Sequence, residues 1–188
     1  MLFRSLLDAI CLGTTDGLKL AVNIGGMLIV FTALVAFLNY VLGSWIGGPT
    51  GLNGWIASVT GGAYAAFSLE FILGLLYAPI AWLIGIDYGQ LLASGQLLGT
   101  RTVLNEFVAY LQLGQMKAAG TYNDPRALVI MTYALCGFAN LVSIGIQVGG
   151  IGALAPAQRE NLAKLGVKAM LGGSIACMLT ACVAAMLV

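Results

Sequence analysis

Charge is nearly absent over long stretches of this chain. After Lys19 the next charged residue is Glu70; residues 127–150 carry none, and residues 169–188 carry none. A bilayer core is crossed by about 20 consecutive apolar residues, and each of these gaps holds such a run. Only 8% of the 188 residues are charged and 60% are hydrophobic, against about 25% charged in an ordinary soluble domain. The expected class is therefore an all-α integral membrane protein embedded in a lipid bilayer.

Composition also excludes chemistry. There is no histidine, which removes the commonest general base and metal ligand. The four cysteines, Cys11, Cys136, Cys177 and Cys182, form no CxxC pair and sit in apolar segments; they read as buried small hydrophobes. With no clustered carboxylates either, no metal site and no enzymatic site is expected. A net charge of +1 gives no basic patch, so no nucleic-acid partner is implied. Residues 1–4 lack the apolar core and cleavage site of a signal peptide.

In order, residues 1–17 read as a cytoplasmic entry segment, with a helix cap at Thr15 or Asp16. Residues 18–42 read as a transmembrane helix with Lys19 snorkelling at its entrance. Residues 43–87 read as a glycine-rich loop followed by an interfacial or broken helix. That stretch carries Trp45 and Trp55 as interfacial anchors and Pro79 as a breaker. The connector 151–168 has Arg159, Lys164 and Lys168 against Glu160, which places it on the cytoplasmic side with Arg4 and Lys19. Residues 169–188 read as the C-terminal transmembrane helix.

Residues 88–116 do not fit that pattern. They are too long for one span of about 20 residues and too short for two with a turn. Two helices of about 11 residues, each about 16 Å long, fit half a bilayer each. The expectation is a re-entrant helical hairpin with its tip at Leu98–Thr102 and Glu106 one turn into the second arm. Such backbone survives at membrane depth only inside protein or along a wet cavity. Residues 127–150 carry Gly137 and Asn140 at mid-span. They read as a discontinuous transmembrane helix, the alternative being a glycine packing notch with Asn140 bonded to a neighbour.

A carboxylate between apolar blocks usually faces a substrate or ion path. Glu106 can accept hydrogen bonds from two adjacent hydroxyls. Asn140 and Ser143 lie three apart, on one helical face. If the hairpin meets the broken helix, the three converge on one small polar ligand, and Phe138 can cover a ring or sugar face, the alternative for it being core packing.

Gly99-x-Arg101-x-x-x-Asn105-Glu106-Phe107-Val108-Ala109-Tyr110 resembles the signature of the concentrative nucleoside transporters. Arg101 replaces the usual lysine. Asp16–Asn23, Tyr133–Asn140, Ser143–Gly150 and Gly152–Pro156 resemble the same family in the same order, and Val142 stands where a serine is frequent. The resemblance implies a nucleoside:cation symporter of the cell (inner) membrane, homotrimeric and built from inverted repeats. It implies that Glu106, Asn140 and Ser143 bind the ribose, that Phe138 lies beside the nucleoside, and that Gly99, Arg101 and Asn105 support the motif. It implies no organic cofactor and a coupling ion, sodium or a proton, whose ligands belong to an N-terminal half absent from these 188 residues. The helix at 18–42 would be a scaffold near the trimer contact. The alternative is a non-transporting membrane module that binds nucleoside or assembles with other subunits.

Overall fold

The computed structural model describes residues 5–62, 64–120 and 122–188. Arg4, assigned above to the cytoplasmic side, lies outside them. Every regular element among these residues is helical.

Helix α1 runs from Leu6 to Tyr40. Ser5 caps it, its hydroxyl accepting from the Asp8 amide at 3.1 Å. The helix therefore begins well before residue 18, and the expected cap at Thr15 or Asp16 is not used. Thr14 and Thr15 instead donate to the carbonyls of Ile10 and Cys11 at 2.8 and 2.9 Å. A threonine that bonds back four residues satisfies its own hydroxyl and leaves the helix intact. The chain continues as a π-helical segment, Val41–Gly47, and then α2, Leu52–Val59. Asn53 folds this region onto itself. Its amide donates to Gly43 O at 2.8 Å and its oxygen accepts from Phe67 N at 2.9 Å.

Helix α3, Leu69–Leu83, is capped by Ser68 and contains Pro79 without being divided by it. Asn39 of α1 anchors its first turn. The Asn39 amide donates to both Glu70 oxygens, at 3.0 and 2.8 Å, while its own oxygen accepts from Leu69 N at 2.9 Å. One amide thus satisfies a carboxylate and a free helix-terminal N–H together.

Helix α4, Leu91–Val103, lies against α3 along a glycine seam. A Cβ on Gly95 would strike the backbone carbonyl of Gly74, and one on Gly99 would sit 3.1 Å from Gly74 N. Small residues let helix backbones approach closely where no water drives association. Helix α5, Glu106–Ala118, follows after a two-residue break. Ser94 bonds Tyr122 at 2.6 Å, and Thr100 donates to Gln112 at 3.0 Å. Tyr122 lies four residues past the end of α5, so the two cross-links hold α4 against α5 and against the turn that follows it, and the chain doubles back between the two helices.

The break lies at Leu104–Asn105, not at 98–102. Asn105 wins the turn because its side chain caps α5, accepting from Val108 N at 2.9 Å. Gly99 is spent on the seam with α3 instead.

Helices α6, Pro125–Leu135, and α7, Leu141–Leu154, are separated by residues 136–140. Helix α8, Arg159–Leu187, begins inside the expected connector. Arg126 ties three elements together, donating to Gly85 O at 3.0 Å and to Ala185 O at 3.2 Å. The second contact sets a cation on the carbonyl end of α8, where the helix dipole favours it. The core lies where α4, α5, α6 and α8 meet, around Leu97, Leu98, Ala109, Ile130, Met131, Leu135 and Ala181. The cysteines are not fully buried as expected: Cys11 and Cys136 are exposed, Cys177 is partly covered, and Cys182, also partly covered, packs against the edge of this core. Leu6–Gly47 and Pro156–Leu187 are long and apolar enough to cross a bilayer.

The seam makes a contrast. Gly95→Ala pushes a methyl into the Gly74 backbone and should destabilise the fold by about 1–3 kcal/mol. Gly114→Ala, in open space on α5, should be neutral or stabilising by up to about 1 kcal/mol. Thermal unfolding of the two variants in detergent checks this.

Candidate functional site

Glu106, Asn140 and Ser143 sit where helices start. Glu106 is the first residue of α5, beside the partial positive charge of that N-terminus. Asn140 is the N-cap of α7 and forms a reciprocal capping box with Ser143. The Asn140 oxygen accepts from Ser143 N at 2.7 Å; the Ser143 hydroxyl accepts from Asn140 N at 3.2 Å and donates to Asn140 O at 2.6 Å. This leaves the Asn140 amide N–H₂ free to leave its own helix, and it donates to Glu106 Oε2 at 3.0 Å. The two helix breaks therefore meet through one side-chain bond. Asn140 and Ser143 are 1% and 2% exposed. Glu106 is half-buried, and its Oε1 has no hydrogen-bond partner among the described residues.

Phe138 lies within the break between α6 and α7 and is 49% exposed. It lines a cavity of about 150 Å³ with Ser143, Gln147, Gly173 and Cys177. Gln147 was not singled out from the sequence, though it follows Ser143 by one helical turn. A larger groove of about 880 Å³ runs between α1 and α7, past Asn23, Val30, Gly145 and Gly149 to Arg159. It holds none of the expected site residues. It does bring the Asp16–Asn23 and Ser143–Gly150 stretches face to face. The polar groups converge at Glu106 and Asn140, and that cluster is the candidate site.

The supporting residues divide differently from expectation. Asn105 lies in the break and caps α5, whereas Gly99 packs on α3 inside α4. Arg101 is fully buried. It donates to Ala134 O at 2.7 Å and to Ser174 Oγ at 2.8 Å, and its Nε has no partner. Among the described residues no carboxylate pairs with it. No three metal-ligating side chains come together among them either.

Long apolar helices with polar groups gathered where shorter helices break are what this chain has in common with known transporters. The family model described as "Na+ dependent nucleoside transporter C-terminus" matches residues 3–185. The chain is 42% identical over 184 residues to the "Uncharacterized transporter YutK" of Bacillus subtilis (strain 168), covering 98% of this chain and 42% of that one. It is 35% identical over 196 residues to "Sodium/nucleoside cotransporter 1" of Rattus norvegicus, covering 98% and 28%. Among solved structures, a variant of CNTnw in an intermediate state superposes with a TM-score of 0.80 at 34% identity, over 98% of this chain and 43% of that one. CNTnw in an inward-facing substrate-bound state gives a TM-score of 0.71 at 33% identity, over 98% and 41%. The chain belongs to the Na+ dependent nucleoside transporter family, whose C-terminal part it matches. It spans less than half the length of the first relatives named.

Replacing Asn140 with Ala removes the α7 cap and the Glu106 partner together. It should cost about 1–3 kcal/mol, more than Asn105→Ala, which removes a cap alone and should cost about 1 kcal/mol. Unfolding midpoints of the two variants, read side by side, test the order.

Proposed function

We propose that this chain is the C-terminal part of a nucleoside:cation symporter and carries the ribose-binding part of its site. The observation that carries the reading is the Glu106–Asn140 bond, which joins two helix breaks at a carboxylate with one free oxygen. A ribose offers two neighbouring hydroxyls. The free Oε1 accepts from one of them, and charge-assisted bonds of this kind are roughly twice as strong as neutral ones. The second hydroxyl competes with Asn140 for Oε2, and the displaced amide then donates to the sugar oxygen. Ser143 holds Asn140 in place through the capping box, and Phe138 covers a face of the ligand.

The relatives support the substrate class. One is called a sodium/nucleoside cotransporter and another, in Escherichia coli (strain K12), a "Putative nucleoside permease NupX". In this reading residues 88–116 are a re-entrant hairpin with its tip at the Leu104–Asn105 break, and residues 127–150 are a discontinuous transmembrane helix. Helix α1 is a scaffold element of a homotrimer in the cell (inner) membrane. Sodium or a proton drives uptake, its ligands lying outside these residues. Because the chain spans 42% of the B. subtilis relative, a second reading is that by itself it binds or assembles without transporting.

The test is uptake of labelled uridine by the complete parent protein in a nucleoside-transport-deficient host. Glu106→Gln should cut uptake at sub-saturating substrate by about tenfold or more, the worth of one charge-assisted hydrogen bond. Undiminished uptake overturns the ribose role. Nucleoside binding without ion-driven accumulation favours the second reading.

A further inference from the structure

Where α6 stops at Leu135, its last carbonyls lose the donors that a continuous helix would supply. Each finds another. Tyr133 O accepts from Cys136 N at 3.2 Å and Leu135 O from Gly137 N at 2.8 Å, both local turns. The exposed carbonyl just beyond, Cys136 O, takes the Cys177 thiol at 3.4 Å. The remaining two are served from far away in sequence. Ala134 O accepts from Arg101 Nη1 at 2.7 Å, and Thr132 O accepts from the Tyr110 hydroxyl at 2.6 Å.

Arg101 is on α4 and Tyr110 is on α5, so the two donors come from opposite arms of one doubled-back unit. Glu106 lies between them in the sequence, at the break that joins the arms. Thr100 and Gln112, bonded at 3.0 Å, tie the same two arms together next to these donors. Arg101 has no carboxylate partner among the described residues. What stabilises its charge is the negative end of the α6 dipole, about half an elementary charge, with Ser174 of α8 as a second acceptor. Burying an arginine completely is worthwhile only where its bonds are directional, and the planar guanidinium reaches α6 and α8 at once.

We propose that Arg101 and Tyr110 are positioning residues. Together they clamp the open carbonyl end of α6 between the arms of the α4–α5 unit, and so hold Glu106 in register with Asn140. Asn140 begins the next helix only a few residues past the clamped carbonyls. A shift of α4–α5 along α6 therefore moves Glu106 off the Asn140 amide. The proposal rests on the nucleoside reading for its effect on transport, but not for its effect on local structure.

Two measurements on the complete parent protein separate these. The first is amide hydrogen exchange across residues 132–140, with unfolding midpoints recorded alongside. Tyr110→Phe, which deletes one oxygen, and Arg101→Met should each speed exchange across this break by about tenfold, while Arg101→Lys, which keeps the charge and can still reach Ala134 O, should restore most of the protection. The second is the KM and maximal rate for labelled uridine. Tyr110→Phe and Arg101→Met should raise KM by about tenfold with a smaller change in maximal rate per folded molecule, and Arg101→Lys should recover KM.

Unchanged exchange across 132–140 in Tyr110→Phe, a variant too conservative to prevent folding, overturns the clamp. So does a loss confined to the amount of folded protein, with KM unaltered. If the wild type takes up no nucleoside, the functional reading fails by itself, and the exchange data still decide whether the clamp exists.

Discussion

A helix that breaks inside a protein leaves backbone donors on one side of the break and acceptors on the other, each costly to bury unpaired. This chain breaks twice near one point, and a set of polar side chains is occupied with the consequences. Asn105 and Asn140 cap the starts of α5 and α7. Arg101 and Tyr110 close the end of α6. The candidate site is what remains at the two breaks: a carboxylate and an amide whose groups are not wholly consumed by their own helices, and which bond each other.

The rest of the fold fixes where the two breaks lie. The glycine seam between α3 and α4 sets α4 at close range, and Asn39 fastens α3 to α1 through Glu70. Arg126 fastens the α3–α4 turn to the end of α8. These contacts form a chain of supports running from the long outer helix to the Glu106 turn. A ligand that rearranges the Glu106–Asn140 bond pulls on helix ends that are held elsewhere by directional bonds rather than by loose apolar packing.

The two cavities differ in size and in lining. The volume beside Ser143 is about 150 Å³, lined on the sides that α7 and α8 supply. The groove between α1 and α7 is far larger but mostly apolar, and its walls come from two stretches that resemble the family. Relatives more than twice as long have further chain with which to cover such surfaces. The many exposed large side chains of α1, Ile29 and Phe37 among them, also call for lipid or protein against them.

What the sequence determined by itself was the class, and it singled out the residues of a candidate site. Long uncharged runs dictate membrane-length helices, because backbone in lipid must bond internally. A lone carboxylate near asparagine and glycine marks a polar site, because such groups are too costly to keep without use. The family signature named the same residues. The sequence did not locate the break in residues 88–116, because Gly99 and Asn105 are both plausible breakers by local preference. Only the packing of α3 shows that Gly99 is needed inside a helix. Nor did it show what Arg101 and Tyr110 do. Their acceptors are carbonyls on α6, many residues away in the chain. A backbone acceptor carries no signature in the side-chain code, so the tertiary structure alone decides which one is open and which donor reaches it.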